Sequence, residues 1–528
     1  MAGESEVGDG RGMFGRMMSV GGLTLVSRVV GFFRDIVLAA VLGAGPIADA
    51  FFVALRLPNH FRAIFAEGAF NAAFVPAYAR VREQRGGAAA ILFADSVFTL
   101  LLASQVVLLA LALIFTPTVI GLLARGFIDD AGRFALAVEL TRITFPYLLL
   151  MTMVTLFSGM LNAIDRFAAA AAAPILLNIS MILALALAAF FPTAGHAAAW
   201  GVLMAGILEF LLVAGDTMRV GIMVRFRRPR WDEDVRRFFS ALGPATVGSA
   251  GVQLALFADT IIATFLSVGA LSALYYADRL NQLPIGVIGI AAGTVVLPEM
   301  ARRIAANDAG GASHAQSRAI ELTLLLAVSC LAAFLVVPDL IMRALFMRGA
   351  FMAADAAAAG ATLRAYAVGL LPFVLIRSLV ATFFARGDTA TPVKASLSAA
   401  GANIVLKIGF YLFTSLAQVG LALATSIGAW INAGLVAFFA YRAGLLSLDA
   451  QLRHSIPRLA GAGVLLTGAL WAAEYGAAWL FRNWTHGRDE ATLLAVIAVG
   501  VGVYGALLML LFGQRWRAFM KGQERTTE

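Results

Sequence analysis

Long apolar segments recur along the whole chain and are separated by short polar segments. A membrane-spanning helix needs about 20 predominantly apolar residues, and the alternating ten-residue pattern of a membrane β-barrel is absent from the sequence. We therefore predict an all-α polytopic membrane protein with fourteen transmembrane helices. The predicted spans are residues 20–43, 47–77, 88–116, 134–161, 168–191, 196–222, 238–267, 271–300, 317–344, 357–384, 391–413, 417–441, 457–481 and 491–513.

The composition excludes a water-soluble enzyme and a disordered chain. Of the 528 residues, 61% are hydrophobic and only 13% are charged, whereas an ordinary soluble domain has about 25% charged residues. Cys330 is the single cysteine and the five histidines are scattered, so we predict no disulfide, metal site or cofactor. Because the first apolar stretch contains Arg28, Arg34 and Asp35, we do not interpret it as a cleavable signal peptide.

The net charge of +9 is interpreted mainly as a topology signal. If the N-terminus is cytoplasmic, 25 of the 40 Lys and Arg residues fall on cytoplasmic segments and 6 on the opposite side. This bias predicts that both termini are cytoplasmic, and it makes a nucleic-acid partner unnecessary. Even the run RFRRPRW, residues 225–231, is interpreted as a cytoplasmic loop near anionic lipid head groups.

The remaining nine basic residues lie inside predicted spans: Arg28, Arg34, Arg56, Arg62, Arg142, Arg279, Arg364, Arg377 and Lys407. Each costs about 2.5–3.5 kcal/mol at the centre of a membrane helix unless a partner or a polar cavity accommodates it. Snorkelling or an ion pair could explain Arg142, Arg364 and Arg377. The first two spans instead concentrate seven charged residues between Arg28 and Glu67, which favours a hydrated cavity. Helical spacing places Ser27, Gly31 and Arg34 on one face, with Arg28 and Asp35 on the adjacent stripe.

An internal repeat suggests how this cavity is built. AFVPAYAR (residues 73–80) and TVVLPEMAR (residues 294–302) align Pro76 with Pro298 at an offset of 222, and Arg279 lies in a second matching segment. Six spans separate the copies, so both have the same orientation. This predicts two pseudo-symmetric six-helix lobes around a central cavity. The predicted divisions are a tail (1–19), two lobes (20–224 and 225–445), two additional helices (446–514) and a tail (515–528).

The chemistry of the predicted cavity indicates transport of an anion. The sequence has no phosphate-binding loop of the nucleotide-hydrolysing type and no catalytic triad, and GVGVYG (residues 500–505) lies inside an apolar span, where it favours helix packing. Arg28, Arg34, Arg62 and Arg279 suit a phosphate or pyrophosphate group, which guanidinium binds in a bidentate manner. Nearby carboxylates would orient these arginines. They are Asp35, Asp49 and Glu67.

Several motifs resemble those of the MurJ/MviN lipid II flippases of the multidrug/oligosaccharidyl-lipid/polysaccharide (MOP) exporter superfamily, over nearly the whole chain. They are SRVVGFFRD (27–35), ADAFFVALRLPN (48–59), FAEGAFNAAFVP (65–76), YYADRL (275–280) and FFARGDTATPVK (383–394). The resemblance implies two lobes, two additional helices that form a groove for the lipid tail, and alternating access. It also implies substrate-binding roles for Arg28, Arg34, Asp49, Arg62 and Arg279, with Ser27, Asp35 and Glu67 as neighbours.

The resemblance further implies a substrate, partners and a location. The substrate would be lipid II, the undecaprenyl-pyrophosphate-linked peptidoglycan precursor, moved to the outer leaflet of the bacterial cytoplasmic membrane. Membrane lipids and the cell-wall synthesis machinery would be partners. Transport would be coupled to the membrane potential or to a monovalent cation. Asp259 and Asn403 resemble a cation-site remnant, and we hypothesise that Lys407, one turn beyond Asn403, pairs with Asp259 in place of the cation. An unrelated buried pair or snorkelling is the alternative.

Two other functions stay open at this point. One is an exporter of drugs or of another polyprenyl-pyrophosphate-linked oligosaccharide, although the dense arginines disfavour cationic drugs. The other is a polytopic glycosyltransferase acting on polyprenyl phosphates. Such an enzyme would need a sizeable extramembrane loop with acidic residues, and no predicted loop exceeds about 20 residues.

Overall fold

The computed structural model describes residues 4–63, 69–446 and 449–520, and these ranges contain helices and connecting turns but no β-strand. The chain divides into two compact units, Met1–Ser272 with Arg348–Phe351, and Ala273–Met347 with Met352–Glu528. The first unit contains α1 (Glu4–Leu42), α2 (Pro46–Arg62), α3 (Ala69–Ile114), α4 (Thr116–Leu123), α5 (Ala131–Thr144), α6 (Pro146–Asn162), α7 (Ala168–Ala186), α8 (Ala194–Val220) and α9 (Glu233–Thr264).

Helix α10 (Ala270–Ala305) begins in the first unit and continues into the second. The second unit is completed by α11 (Ala309–Val336), α12 (Pro338–Phe346), α13 (Ala353–Ala367), α14 (Leu370–Phe384), α15 (Ala390–Phe413), α16 (Ala417–Arg442), α17 (Ala450–Leu480) and α18 (Arg488–Met520). Within the first unit, α1 packs against α7, and α7 packs against α8. Within the second, α15 packs against α16, and α17 packs against α11 and α18.

Ten helical segments among the described residues are long and apolar enough to cross a membrane. They are Phe70–Ile114, Ala131–Asn162, Ala168–Ala186, Ala194–Val220, Gly310–Val336, Ala353–Phe384, Ala390–Phe413, Ala417–Arg442, Ala450–Leu480 and Arg488–Gly513. The predicted all-α, multi-pass membrane class is confirmed. The predicted spans 20–43, 238–267 and 271–300 lie in helices that this criterion does not select, and of the span 47–77 it includes only the part from Phe70. The count of fourteen therefore stays a prediction.

Several predicted spans are divided into shorter helices. The predicted span 47–77 comprises α2, which ends at Arg62, and the beginning of α3 at Ala69. Pro58 lies inside α2, and the helix continues for one turn beyond it. The predicted span 134–161 is divided between α5 and α6, with Pro146 at the start of α6. Proline is favourable at that position because the first N–H groups of a helix have no intrahelical acceptor.

Residues 383–394 comprise the end of α14, the turn after it and the first residues of α15. Asp388 accepts hydrogen bonds from the N–H groups of Ala390 and Thr391, both at 3.0 Å, and from the Thr391 hydroxyl at 2.7 Å. The Thr391 hydroxyl and N–H hold the pKa of the Asp388 carboxyl below its ordinary value. Asp388 therefore stays ionised below the usual aspartate range, and its hydrogen bonds to the first turn of α15 are lost only at lower pH.

Two short turns in the first unit require glycine because they approach another backbone closely. Gly349 has φ +56°, and a Cβ there would overlap the carbonyl oxygen of Ala40 in the last turn of α1. The next residue, Ala350, donates its N–H to that carbonyl at 2.7 Å. Similarly, a Cβ at Gly126 would overlap the carbonyl of Thr264 at the end of α9. These turns read RGAF and RGF and stand 223 residues apart, close to the offset of the sequence repeat.

Replacing Gly349 by alanine should lower the melting temperature of the purified protein more than replacing Gly221. Gly221 also has positive φ, +75°, but no atom lies within 4 Å of a Cβ placed there. Both variants carry the left-handed strain of about 1–2 kcal/mol, so the difference between them measures the overlap with Ala40. Equal melting temperatures for Gly349→Ala and Gly221→Ala in detergent would show that the contact does not constrain the fold.

Candidate functional site

The predicted polar face of α1 is organised around Arg34. Its guanidinium donates to Asp35 Oδ1 from Nε at 3.1 Å and from Nη2 at 2.6 Å, and Nη1 donates to Asn178 Oδ1 of α7 at 2.9 Å. The Asn178 amide in turn donates to the backbone carbonyl of Ser27 at 3.0 Å. Gly31 lies directly beneath the Asn178 amide. Ser27, Gly31 and Arg34 therefore do share a face, and Asn178 fixes the orientation of the guanidinium.

Arg28 differs from Arg34 in its surroundings. Its side chain is exposed on α1, whereas Asp35 is buried and Arg34 is largely buried. Arg28 and Arg34 are six residues apart, so they project in different directions from the same helix. The predicted site residue Glu67 lies outside the described residues.

Asp49 occupies a buried position where the start of α2 meets the turn before α10. The carboxylate is 1% exposed and accepts hydrogen bonds from the N–H groups of Gly269 at 2.8 Å and Ser272 at 3.0 Å, and from the Ser272 hydroxyl at 2.6 Å. Arg133 of α5 lies 3.6 Å from it. Asp49 therefore supplies an acceptor to N–H groups at the beginning of α10, which have no acceptor within the helix. The geometry identifies Asp49 as an anchor, and its predicted role in substrate binding stays a prediction.

Two turns further along α2, Arg56 faces the same region of the first unit. Its Nη1 donates to Thr260 Oγ1 of α9 at 3.1 Å. Asp49 and Arg56, seven residues apart, therefore use one face of α2 to contact residues between 260 and 272. These contacts attach α2 to the end of α9 and the start of α10.

A buried acidic residue that the sequence patterns do not single out lies on α8 of the first unit. Glu209 of α8 is 1% exposed, and the charge of Arg62 acts on it. Among the described residues, no donor lies within hydrogen-bonding distance of Glu209 Oε2. An ionisable residue inside a membrane helix is a candidate functional residue. Glu209 interrupts the apolar segment of α8, and this interruption is the signal in the sequence that points to it.

The second unit contains the predicted residues Arg279, Asn403 and Lys407. Arg279 lies on α10, half-buried, with its guanidinium carbon 4.7 Å from the centre of the Tyr275 ring. A cation over an aromatic face is stabilised by the ring quadrupole. Lys407 of α15 is 3% exposed. One turn earlier, Asn403 packs against Gly428 of α16. Asp259, its predicted partner, is half-buried on α9 in the first unit, and the pairing stays a prediction.

Snorkelling or an ion pair is the expectation for three of the intramembrane arginines. Arg142, Arg364 and Arg377 are all exposed. Arg364 donates to the carbonyl of Leu335 at 3.1 Å and lies 3.7 Å from Asp339. Arg377 lies across Gly289, which leaves room for its aliphatic stem.

No group of three or more His, Cys, Asp and Glu side chains in the described part of the chain could hold a metal ion.

The fold and these charge pairs define the class of protein. An all-α chain with many membrane-length apolar helices, and with guanidinium groups held by carboxylate and amide partners inside them, is a polytopic membrane transporter. Solved structures share this fold: an inward-closed lipid II flippase MurJ matches 94% of this chain and 99% of that chain with a TM-score of 0.79 at 23% identity. An inward-facing multidrug resistance MATE family transporter of the MOP superfamily covers 79% and 94%, with a TM-score of 0.66 at 15% identity.

Sequence relatives identify the family within this class. A family profile described as "Lipid II flippase MurJ" matches residues 38–486. A probable lipid II flippase MurJ of Rhizobium meliloti is 39% identical over 93% of this chain and 92% of its own length. The lipid II flippase MurJ of Burkholderia cenocepacia is 32% identical over 96% and 97%. The chain therefore belongs to the MurJ family of lipid II flippases, which are transporters and not enzymes.

The coupling between Arg62 and Glu209 can be measured by a double-mutant cycle. Glu209→Gln leaves the Arg62 charge without its carboxylate, and Arg62→Gln leaves the buried carboxylate without its counter-charge, so each should lower the melting temperature. The double variant should lose less stability than the two losses added together, with a coupling of about 0.5–3 kcal/mol. Glu209→Asp, which keeps the charge, is the control. Strict additivity would show that the two side chains act independently.

Proposed function

We propose that the protein moves lipid II from the inner to the outer leaflet of the bacterial cytoplasmic membrane by alternating access, with cavity arginines binding the pyrophosphate. The observation that carries this proposal is the fixed orientation of Arg34 between Asp35 and Asn178. A guanidinium already held in place loses less conformational entropy when it binds an anion. Arg28, Arg62 and Arg279 would supply further positive charge, and their convergence on one cavity rests on the sequence repeat.

The lipid part of the substrate needs an apolar surface. The proposed groove is formed by α17 and α18, which pack against each other in the second unit. Large apolar side chains of both helices are exposed: Val464, Leu465, Trp471, Leu494, Val501 and Leu510. In the proposed arrangement of fourteen transmembrane helices, these two follow two six-helix lobes, and both termini face the cytoplasm.

Asp49 suggests how a closed state is stabilised. Its carboxylate satisfies the N–H groups of Gly269 and Ser272, and separation of α2 from the start of α10 would leave that buried charge and those donors without partners. Water would then have to solvate them, which requires an open, hydrated state. We infer that Asp49 contributes to switching between conformations, and that the arginines contribute to binding.

The proposed site can be tested by a rescue experiment, in which this chain is expressed in cells while their native lipid II flippase is depleted. Arg28→Ala and Arg279→Ala should fail to support growth, and lipid II should accumulate in the inner leaflet, because each variant removes a proposed pyrophosphate ligand. Arg142→Ala is a matched control, since Arg142 is also an intramembrane arginine but lies outside the proposed site. Growth with Arg28→Ala or Arg279→Ala would contradict the assignment. Rescue of a different polyprenyl-linked exporter, without lipid II translocation, would identify the other substrate.

For energy coupling, we propose that the Lys407 ammonium pairs with Asp259 and takes the place of a bound monovalent cation. The burial of Lys407 and the neighbouring Asn403 support a polar position inside the second unit. The membrane potential, worth about 2.3 kcal/mol per charge per 100 mV, would then help the protein with its empty cationic cavity to return to the inward-open state.

Lipid II translocation by this chain should therefore not change when sodium is replaced by choline at constant membrane potential. Lys407→Met should reduce translocation, because it removes the internal charge. Lys394→Met is the matched control on the same helix, since Lys394 is exposed. A requirement of the unmodified chain for sodium, or full activity of Lys407→Met, would contradict the proposal.

A further inference from the structure

A basic segment between α8 and α9 has no role in the proposed transport site. Residues 222–232 have no regular secondary structure. We call residues 225–231 of this segment, RFRRPRW, the arginine strap. Ile222 and Val224, immediately before it, are buried and attach it to the protein, whereas all seven residues of the strap are exposed.

The backbone of the strap is fixed to α3. Asp95 Oδ1 accepts the N–H of Arg225 at 2.7 Å. One residue further along α3, Ser96 Oγ accepts the N–H of Arg230 at 3.2 Å, and Thr99 Oγ1 accepts the N–H of Arg227 at 3.3 Å. Because three side chains of one helix bind N–H groups of the strap, its backbone conformation is set. Its arginine side chains are exposed, and the Trp231 ring stacks on the Phe239 ring of α9 with the centroids 5.4 Å apart.

The charges around the strap leave it strongly positive. It contains four arginines, and Asp95 lies 3.5 Å from one of them, Arg227. The neighbouring acids are used elsewhere: Asp232 accepts the N–H of Val235 at 2.9 Å, and Asp234 lies 2.9 Å from Arg85 of α3. A cluster of exposed guanidinium groups on a fixed backbone is suited to binding phosphate.

The position of the strap along α3 corresponds to the edge of the membrane. Residues 79–87 of α3, ARVREQRGG, are largely polar, and the apolar segment that begins at Ala88 continues to Ile114 at the end of the helix. A helix crosses the hydrocarbon with about 20 residues, and about 20 residues counted back from Ile114 reach the level of Asp95. Asp95, Ser96 and Thr99 span about 6 Å of helix at this boundary. Two aromatic side chains of the strap, Phe226 and Trp231, are 73% and 63% exposed. Aromatic residues with arginines are typical of the interfacial layer where lipid phosphates lie.

We propose that the arginine strap is a binding site for the phosphate groups of anionic glycerophospholipids in the adjacent leaflet, with Phe226 and Trp231 inserted at the level of the glycerol backbone. On the proposed topology this is the cytoplasmic leaflet, where anionic head groups attract basic segments close to the membrane. The proposal depends on the position of α3 in the membrane and not on which lipid the protein transports.

Trp231 provides a direct measurement of this binding. Phosphatidylglycerol or phosphatidylcholine with brominated acyl chains is titrated into the full-length protein in detergent micelles, and the quenching attributable to Trp231 is taken as the difference from Trp231→Phe. Phosphatidylglycerol should quench at a several-fold lower mole fraction than phosphatidylcholine, and the preference should decline with added salt. Equal quenching by the two lipids would overturn the proposal.

Two variants separate charge from structure. Replacing Arg225, Arg227, Arg228 and Arg230 together by Gln keeps every backbone donor to α3, and it should abolish the preference, since each basic residue near an anionic surface contributes roughly fivefold to binding. Replacing the same four by Lys should keep most of it. Retention of the preference by the Gln variant would contradict the proposal.

Stronger quenching by a brominated polyprenyl pyrophosphate than by phosphatidylglycerol would instead assign the strap to substrate capture. Rescue of growth, measured separately, reports on the transport site alone.

Discussion

Burial of charge inside apolar helices is the constraint on which the rest of this structure depends. A guanidinium or carboxylate in the membrane is tolerated only where another group compensates it. The first unit meets this requirement by linking helices that are distant in sequence: Arg34 on α1 to Asn178 on α7, Arg56 on α2 to Thr260 on α9, and Asp49 on α2 to the start of α10. The contacts that make the charges tolerable therefore also determine which helices lie side by side.

These contacts divide the predicted site residues into groups with different physical roles. Asp49 accepts three hydrogen bonds from Gly269 and Ser272, and Arg56 donates one to Thr260, so both residues attach α2 to the end of α9 and the start of α10. Arg34 is oriented by Asp35 and Asn178 and is suited to binding. A single list of essential polar residues would conceal this difference. Loss of an anchor changes the population of a state, whereas loss of a ligand changes affinity within that state.

The sequence was sufficient to predict the membrane class, most helices and the charged residues of interest, because the apolar periodicity and the cost of intramembrane charge are local properties. It could not predict partners such as Asn178 or Thr260. Both are uncharged polar residues in apolar segments, and their importance arises only when packing brings them to a guanidinium. The division of 134–161 at Pro146 was visible in the sequence, but a long hydropathy window smooths over such a break. Gly126 and Gly349 likewise reveal their roles only through the carbonyl groups that they approach.

The arginine strap and Arg34 of α1 show that one residue type stands in two different settings according to how its neighbours use their hydrogen-bonding groups. In the strap, Asp95, Ser96 and Thr99 bind backbone N–H groups and leave the guanidinium groups exposed. On α1, Asp35 and Asn178 bind the guanidinium of Arg34 itself. The first arrangement presents mobile charge to many head groups in a wet interface, where the attraction is sensitive to salt. The second fixes one charge in a low-dielectric setting, where a correctly placed pyrophosphate would gain more from each contact. Selectivity for one anionic lipid among many therefore requires the second kind of arginine, and the first kind can only raise the local concentration of anionic lipids.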